Sequence, residues 1–149
     1  MVSKSSQLHQ IIFEHKISIY LNKMKLEKKE VLNTKLDKNL CRSLNQITEY
    51  FSNKRRAFNI KIHLAMPPFY QKVLNEVANI PYGEIRTYKE IANKAGNPNA
   101  YRAAGTANAK NMIPIIIPCH RVIGNNGDLG GYGGGLKIKK YLLKMEGVI

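Results

Sequence analysis

The sequence predicts an α/β domain over residues 1–65, followed by a mostly helical domain over residues 66–149 that presents a reactive cysteine. Three observations predict it. Phe58, Ile60, Ile62 and Leu64 alternate with Asn59, Lys61 and His63 as the faces of a half-buried strand do, whereas Leu36, Leu40, Leu44, Ile47 and Phe51 recur at helical spacing. Met66-Pro67-Pro68 then marks a boundary, because proline suits the first turn of a new helix. Beyond it come two short helical patterns joined by a glycine-containing turn, which is the helix-turn-helix pattern.

In the first domain, Leu8 to Glu14 and Lys16 to Leu21 are β-rich runs separated near His15. The helix over Leu36 to Phe51 should pack on the sheet they form with residues 58–64. Cys41 falls inside that helix and reads as a core residue. His9, His15 and His63 lack the paired cysteine spacing of a zinc site, so no metal is expected.

In the second domain, Phe69, Val73, Leu74, Val77 and Ile80 form the apolar stripe of a helix that Pro81-Tyr82-Gly83 ends. Thr87 should cap a helix from Tyr88 to Lys94, with Glu90 completing a capping box. Ala95-Gly96-Asn97-Pro98 stops it, and Pro98 or Asn99 starts another helix through about Asn108. One face of that second helix is small: Ala100, Ala103, Ala104, Gly105, Thr106 and Ala107. Such a face suits tight packing on a neighbouring helix and close approach to DNA equally well.

The chemistry is concentrated in the run from Ile113 through Pro118-Cys119-His120-Arg121-Val122. Pro114 and Pro118 restrict the backbone around three isoleucines, which predicts an extended, buried, stiff segment ending at the sulfur. An isolated cysteine usually behaves as a small hydrophobe. Here Asn111 precedes it, a His-Arg pair follows it, and Gly130-Gly131-Tyr132-Gly133-Gly134-Gly135 supplies a segment able to approach a ligand closely. A free thiol with a pKa of ~8.5 is mostly protonated at neutral pH, so Cys119 needs a base. His120 is adjacent in sequence, which makes direct pairing awkward and a water relay the better geometry.

Composition sets the surroundings. The chain has 149 residues, 44% hydrophobic, and a formal charge of +14. The excess is spread along it: thirteen basic against five acidic residues up to position 65, eleven against five beyond. Such a body attracts polyanions, although a lysine-rich solvated surface accounts for charge alone. Two cysteines make no disulfide framework, no apolar stretch approaches the roughly 18 residues of a membrane span, and Met1 to Gln10 lack a signal-peptide core. A reduced, cytoplasmic location is expected.

From about Phe69 to Gly147 the chain resembles the O6-alkylguanine-DNA alkyltransferases, also called methylated-DNA–protein-cysteine methyltransferases. The resemblance is carried by Pro81-Tyr82-Gly83-Glu84, Thr87-Tyr88, Ile91-Ala92, Ala95-Gly96-Asn97-Pro98, Arg102-Ala103, Asn111, Pro114 through Val122, Tyr132, Gly134-Gly135-Leu136, Lys139 and Glu146-Gly147. It implies a ribonuclease-H-like N-terminal domain and a winged-helix-like helix-turn-helix domain carrying the active-site cysteine. It also implies stoichiometric transfer of an alkyl group from O6-alkylguanine, and from O4-alkylthymine, in double-stranded DNA to Cys119, by a monomer without cofactor, metal, membrane or required protein partner.

Residue by residue, the resemblance makes Glu146, His120 and a water the relay that deprotonates Cys119. Tyr88 would help rotate the nucleotide and donate to N3, and Asn111 would tie the cysteine turn to the recognition helix. Arg102 would enter the base stack, or alternatively contact a phosphate, with Ala103 and Thr106 beside it in the minor groove. The carbonyls of Cys119 and Val122 would accept from the guanine amine, and the N–H groups near Tyr132 and Gly133 would approach O6. Position 133 departs from the serine of many relatives. Arg121 reads as structural, bonding carbonyls beneath the site. A non-catalytic lesion-binding protein that recruits other repair factors is the competing reading; Cys119, His120 and Glu146 together argue against it.

Overall fold

The computed structural model describes residues 2–4, 7–13, 16 and 38–149, and the chain divides into two compact units, Met1–His63 and Leu64–Ile149. The fold is mixed, with five helices and two small sheets among the described residues.

In the first unit, β1 (Val2–Lys4) pairs antiparallel with β2 (Gln7–Gln10). The backbone of Leu8 donates to Lys61 O at 2.8 Å and accepts from His63 N at 3.0 Å. Among the described residues, 58–64 thus join the sheet through one isolated bridge, Leu8 with Ile62, and not as a continuous strand, although their exposure alternates as the sequence predicts. The run from Lys16 to Leu21 lies outside the described residues beyond Lys16.

Helix α1 (Lys38–Phe51) lies against β1 and β2. Its buried face differs from the predicted leucine row: Ser43, Gln46 and Tyr50 are buried, while Leu44 and Phe51 are exposed. Polar pairing makes this possible. Gln46 Nε2 donates to Asn59 O at 3.1 Å and its Oε1 accepts from Asn59 N at 2.8 Å, as a strand partner would. Tyr50 meets Phe58 at 5.4 Å between ring centroids.

The second unit begins with α2 (Pro68–Ala78), whose Val73, Leu74 and Val77 are buried. Gly83, at φ +81°, turns the chain into β3 (Arg86–Thr87), and α3 (Tyr88–Lys94) follows directly. Both halves of the Thr87–Glu90 capping box are present. Asn97 to Ala100 form a turn closed by Ala100 N donating to Asn97 O at 3.0 Å, so α4 (Tyr101–Ala109) starts later than Pro98 or Asn99. Helices α2, α3 and α4 pack on one another.

The segment after α4 corrects a further expectation. Ile113 to Pro118 is buried but not extended: Ile115 sits at φ +76° and Ile117 N donates to Ile113 O at 3.0 Å, so the chain doubles back. The fixed φ of Pro114 suits the first corner of such a turn, and the next residue then takes the left-handed conformation. For a β-branched residue this costs roughly 1–3 kcal/mol. Burial of Ile113, Ile115 and Ile117 offsets it. A 3₁₀ turn (Cys119–Arg121) follows and leads into β4 (Val122–Ile123), which pairs parallel with β3. Helix α5 (Leu136–Met145) packs against that turn. No helix among the described residues is long and apolar enough to cross a membrane.

Candidate active site

Two parts of the fold converge on Cys119. The doubled-back loop brings the sulfur, and the C-terminus of α5 brings a carboxylate. Glu146 caps α5, Gly147 at φ +76° follows, and Val148 N donates to Leu143 O at 2.9 Å while Gly147 N donates to Lys144 O at 3.0 Å. This Schellman arrangement satisfies the last carbonyls and fixes where Glu146 sits. The Pro81-Tyr82-Gly83 turn braces the same end: Tyr82 Oη donates to Met145 O at 3.0 Å, and a Cβ on Gly83 would lie 3.3 Å from Glu146 O.

Glu146 is 5% exposed and shared by the Arg121 guanidinium and the His120 imidazole. Arg121 grips it with Nε on Oε2 and Nη2 on Oε1, both at 2.8 Å, and places Nη1 on Ile80 O at 2.6 Å. The expected carbonyl contact is therefore one of three bonds, and the bidentate clamp on Glu146 is the larger part. His120 Nε2 lies 3.0 Å from Glu146 Oε1. Burial lowers the imidazole pKa against the upward pull of Glu146, so the ring is neutral. A carboxylate paired with arginine only accepts, which puts the His120 proton on Nε2 and leaves Nδ1 as a lone-pair base. Nδ1 is buried and has no hydrogen-bond partner among the described residues.

Cys119 is itself buried, and burial pushes its thiol up to about 11, against the Asn111 side chain and the positive charge of Lys139. The resting group is a thiol that must lose its proton during reaction. Asn111 closes the cysteine loop on itself: Nδ2 donates to Ile117 O and Oδ1 accepts from Ile113 N, both at 2.9 Å. Its own N donates to Asn108 O at 3.2 Å, so Asn111 joins the end of α4 to that loop, and a second link comes from Asn108, whose Nδ2 donates to Cys119 O at 3.1 Å.

In front of the sulfur lies a cavity of about 390 Å³ bordered by Tyr88, Asn108, Cys119, Gly131, Tyr132 and Gly133. Burial raises the Tyr88 phenol, partly offset by the Asn108 side chain, so Tyr88 is a proton donor at neutral pH. Gly130 is needed where it is: at φ +61°, a Cβ there would lie 3.2 Å from Tyr88 Oη. A Cβ on Gly133 would meet nothing within 4 Å, so the mouth is open at that position. Tyr132 meets His120 edge-on at 6.3 Å, and burial raises its phenol as well.

Other expected residues lie apart. Arg102 and Thr106 are exposed on one face of α4, with Thr106 Oγ1 donating to Arg102 O at 3.1 Å, and Ala103 is half-buried beside them. The Arg102 guanidinium lies over the Tyr101 ring at 5.7 Å. Val122 is buried and its carbonyl accepts from Lys139 Nζ at 2.6 Å. Lys139, fully buried, also donates to Leu129 O, and burial brings its ammonium down to about 8. Sequence reading gave no role to Asn108 or Lys139. The signal was present: each is a polar residue on the buried face of its helix, Asn108 with Ala104 and Ala107, Lys139 with Leu142 and Leu143. Among the described residues no group of His, Cys, Asp and Glu is placed to hold a metal.

A buried thiol, backed by imidazole, carboxylate and guanidinium, thus opens on a cavity beside a short helix pair. The profile described as "6-O-methylguanine DNA methyltransferase, DNA binding domain" matches residues 68–148. The chain is 52% identical over 102 residues to a methylated-DNA–protein-cysteine methyltransferase of Methanosarcina acetivorans, covering 68% of this chain and 65% of that protein. It is 46% identical over 109 residues to the constitutive methylated-DNA–protein-cysteine methyltransferase of Bacillus subtilis, covering 72% and 66%. The crystal structure of Mycobacterium tuberculosis OGT in complex with DNA superposes with a TM-score of 0.70 at 45% identity, covering 72% of this chain and 66% of that one. The chain therefore belongs to the methylated-DNA–protein-cysteine methyltransferase family, and the match spans slightly under two thirds of the Methanosarcina protein's length, 65%.

Proposed function

We propose that this protein repairs DNA by moving the alkyl group of O6-alkylguanine onto Cys119, once per molecule. The observation that carries the reading is the buried series Arg121, Glu146, His120 behind a cysteine that borders a cavity. In the reaction the Cys119 sulfur attacks the saturated alkyl carbon. The carbon–oxygen bond breaks and its electron pair passes to O6 and the purine ring. The thiol proton leaves through a water to His120 Nδ1, and the imidazolium is stabilised by Glu146. Tyr88 donates to N3 of the departing guanine. The product thioether has no good leaving group, so Cys119 stays alkylated.

A guanine O6 lies inside the duplex, so the nucleotide must rotate out, at a cost of a few kcal/mol. Helices α3 and α4 serve as the helix-turn-helix of a winged-helix-like domain over residues 66–149. Ala103 and Thr106 face the minor groove, and Arg102 fills the stack that the base leaves. The +14 charge supports salt-sensitive attraction to the backbone. Residues 1–65 form a ribonuclease-H-like structural domain. The protein works in the cytoplasm as a monomer, without cofactor or protein partner, and O4-alkylthymine is a second substrate.

Intact mass after incubation with a duplex bearing one O6-methylguanine tests this. One added CH₂, mapped to Cys119, with guanine restored in the DNA, is the expected result. An unmodified protein that still binds the duplex would overturn it in favour of a lesion-binding protein.

A further inference from the structure

Tyr101 is an exposed aromatic residue of α4 that the mechanism above leaves without a task. It is the first residue of the helix and is 46% exposed. Residues 101, 105 and 108 recur at spacings of four and three, so they share one row of the helix. Gly105 and Asn108 of that row border the cavity in front of Cys119, and Tyr101 lies a turn nearer the helix N-terminus. Its ring meets the Arg102 guanidinium, whose central carbon lies 5.7 Å from the ring centroid.

Arg55, Arg86 and Arg121 each pair with a glutamate, whereas among the described residues no carboxylate pairs with Arg102. The first turn of α4 carries no acid, and the positive end of the helix dipole disfavours a guanidinium there. The electron-rich face of the ring supplies the attraction that a carboxylate supplies elsewhere. A glutamate in that place would occupy the guanidinium N–H groups and repel phosphates; a ring leaves the N–H groups open to an orphaned base. We propose that Tyr101 is a positioning residue for Arg102: its ring holds the guanidinium at the edge of α4 in the free protein, poised to enter the stack as the damaged nucleotide turns toward the cavity. A free arginine side chain gives up rotamer freedom at that moment, and a ring that has already restricted it lowers the cost. The inference rests on the alkyl-transfer reading above and on Arg102 as the residue that fills the stack.

The test is a double-mutant cycle on the rate of methyl transfer, measured from a duplex and from a single strand carrying O6-methylguanine. The wild type, Tyr101→Leu, Tyr101→Phe, Arg102→Ala and the combination of Tyr101→Leu with Arg102→Ala are compared, with thermal melting to establish folding. Tyr101→Leu should lower the duplex rate about two- to fivefold, the usual worth of an exposed cation–π contact. The single-strand rate should not change, since no stacked partner has to be displaced. Tyr101→Phe keeps the ring and should keep the duplex rate. With Arg102→Ala already present, Tyr101→Leu should cost nothing more. A duplex rate that Tyr101→Leu leaves at the wild-type value overturns the inference and leaves the alkyl-transfer reading standing. So does a loss that persists without Arg102, which would give the ring a DNA contact of its own, and so does a Tyr101→Phe variant as slow as Tyr101→Leu. Wild-type protein that takes no methyl from either substrate overturns the parent reading, and this inference with it.

Discussion

The chain's two thiols occupy opposite kinds of surroundings. Cys41 is half-buried on α1 and lines a groove of about 540 Å³ with Lys38, Arg42, Glu49 and Arg55. Cys119 is buried, with burial opposing its ionisation. Partial exposure among cations is the usual mark of a reactive cysteine, and by that measure Cys41 looks the better nucleophile. What Cys119 has instead is a base of fixed tautomer behind it and a cavity in front. In the reaction proposed above, the cavity positions a reactant, and the base removes a proton only when the sulfur attacks. The difference teaches that machinery around a thiol outweighs its access to solvent.

The largest effect should come from exchanging the roles. Cys119→Ser should abolish methyl transfer from an O6-methylguanine duplex, whereas Cys41→Ser should transfer within about twofold of wild type, because a single surface-side substitution changes stability by only ~0.5 kcal/mol. Intact mass resolves both. Loss of transfer in Cys41→Ser with normal folding would break the comparison outright.

Next comes the base. His120→Ala should slow transfer about 10²- to 10⁴-fold, the usual worth of general-base help. Because burial lowers the His120 pKa, the wild-type rate should hold steady through pH 6.5 and decline only in more acid solution. Stability follows the same sign. The unfolded chain takes the histidine proton near pH 6.5 while the folded one resists, so the folded state weakens as pH falls below that value. Single-turnover rates from pH 5 to 8 check the profile, and an acid limb that persists unchanged in His120→Ala would assign it to another group.

Arg121 sharpens the contrast from behind. Arg121→Met leaves Glu146 buried beside a neutral imidazole, and breaking a buried pair in this way costs about 3–5 kcal/mol. Urea unfolding measures it. Removing the guanidinium should also raise the His120 pKa, since its charge is one of the influences lowering it, and the acid limb should move to higher pH. A stable variant with an unmoved limb would show that Arg121 only fills space.

How much of this was legible in the residues depends on whether the signal was local. The Thr87–Glu90 box and the buried stripe of α2 follow from short spacings, whereas the grouping of Glu146 with Cys119 and His120, 26 residues from the histidine, came from the family resemblance. The buried face of α1 did not, because Gln46 satisfies its amide on the Asn59 backbone and so enters the interior as a leucine would. The turn at Ile115 was hidden because propensity argues against it: a β-branched residue takes φ +76° only where buried neighbours hold it there. Asn108 and Lys139 read as ordinary polar residues, since what distinguishes them is the tertiary partner and not the spacing. Sequence shows where a helix face lies; it does not show which carbonyl a buried amide will meet.

The smallest effect tests whether the frame around the second thiol can be weakened without touching its chemistry. Thr87 pairs through its backbone with Ile123 of β4, one residue beyond Val122, and its side chain caps α3 through Glu90 N at 3.2 Å. Thr87→Ala keeps the strand pairing and the Thr87 N to Glu90 Oε2 bond, which spans 2.6 Å, but removes the side-chain half of the box. The loss should be about 1 kcal/mol, read as a fall in Tm of about 4 °C. Transfer per folded molecule should stay within a few-fold of wild type, because neither the base nor the cavity wall uses the threonine hydroxyl. A rate loss rivalling that of His120→Ala, without loss of stability, would mean that the position of α3, and with it Tyr88, sets the chemistry as directly as the imidazole does.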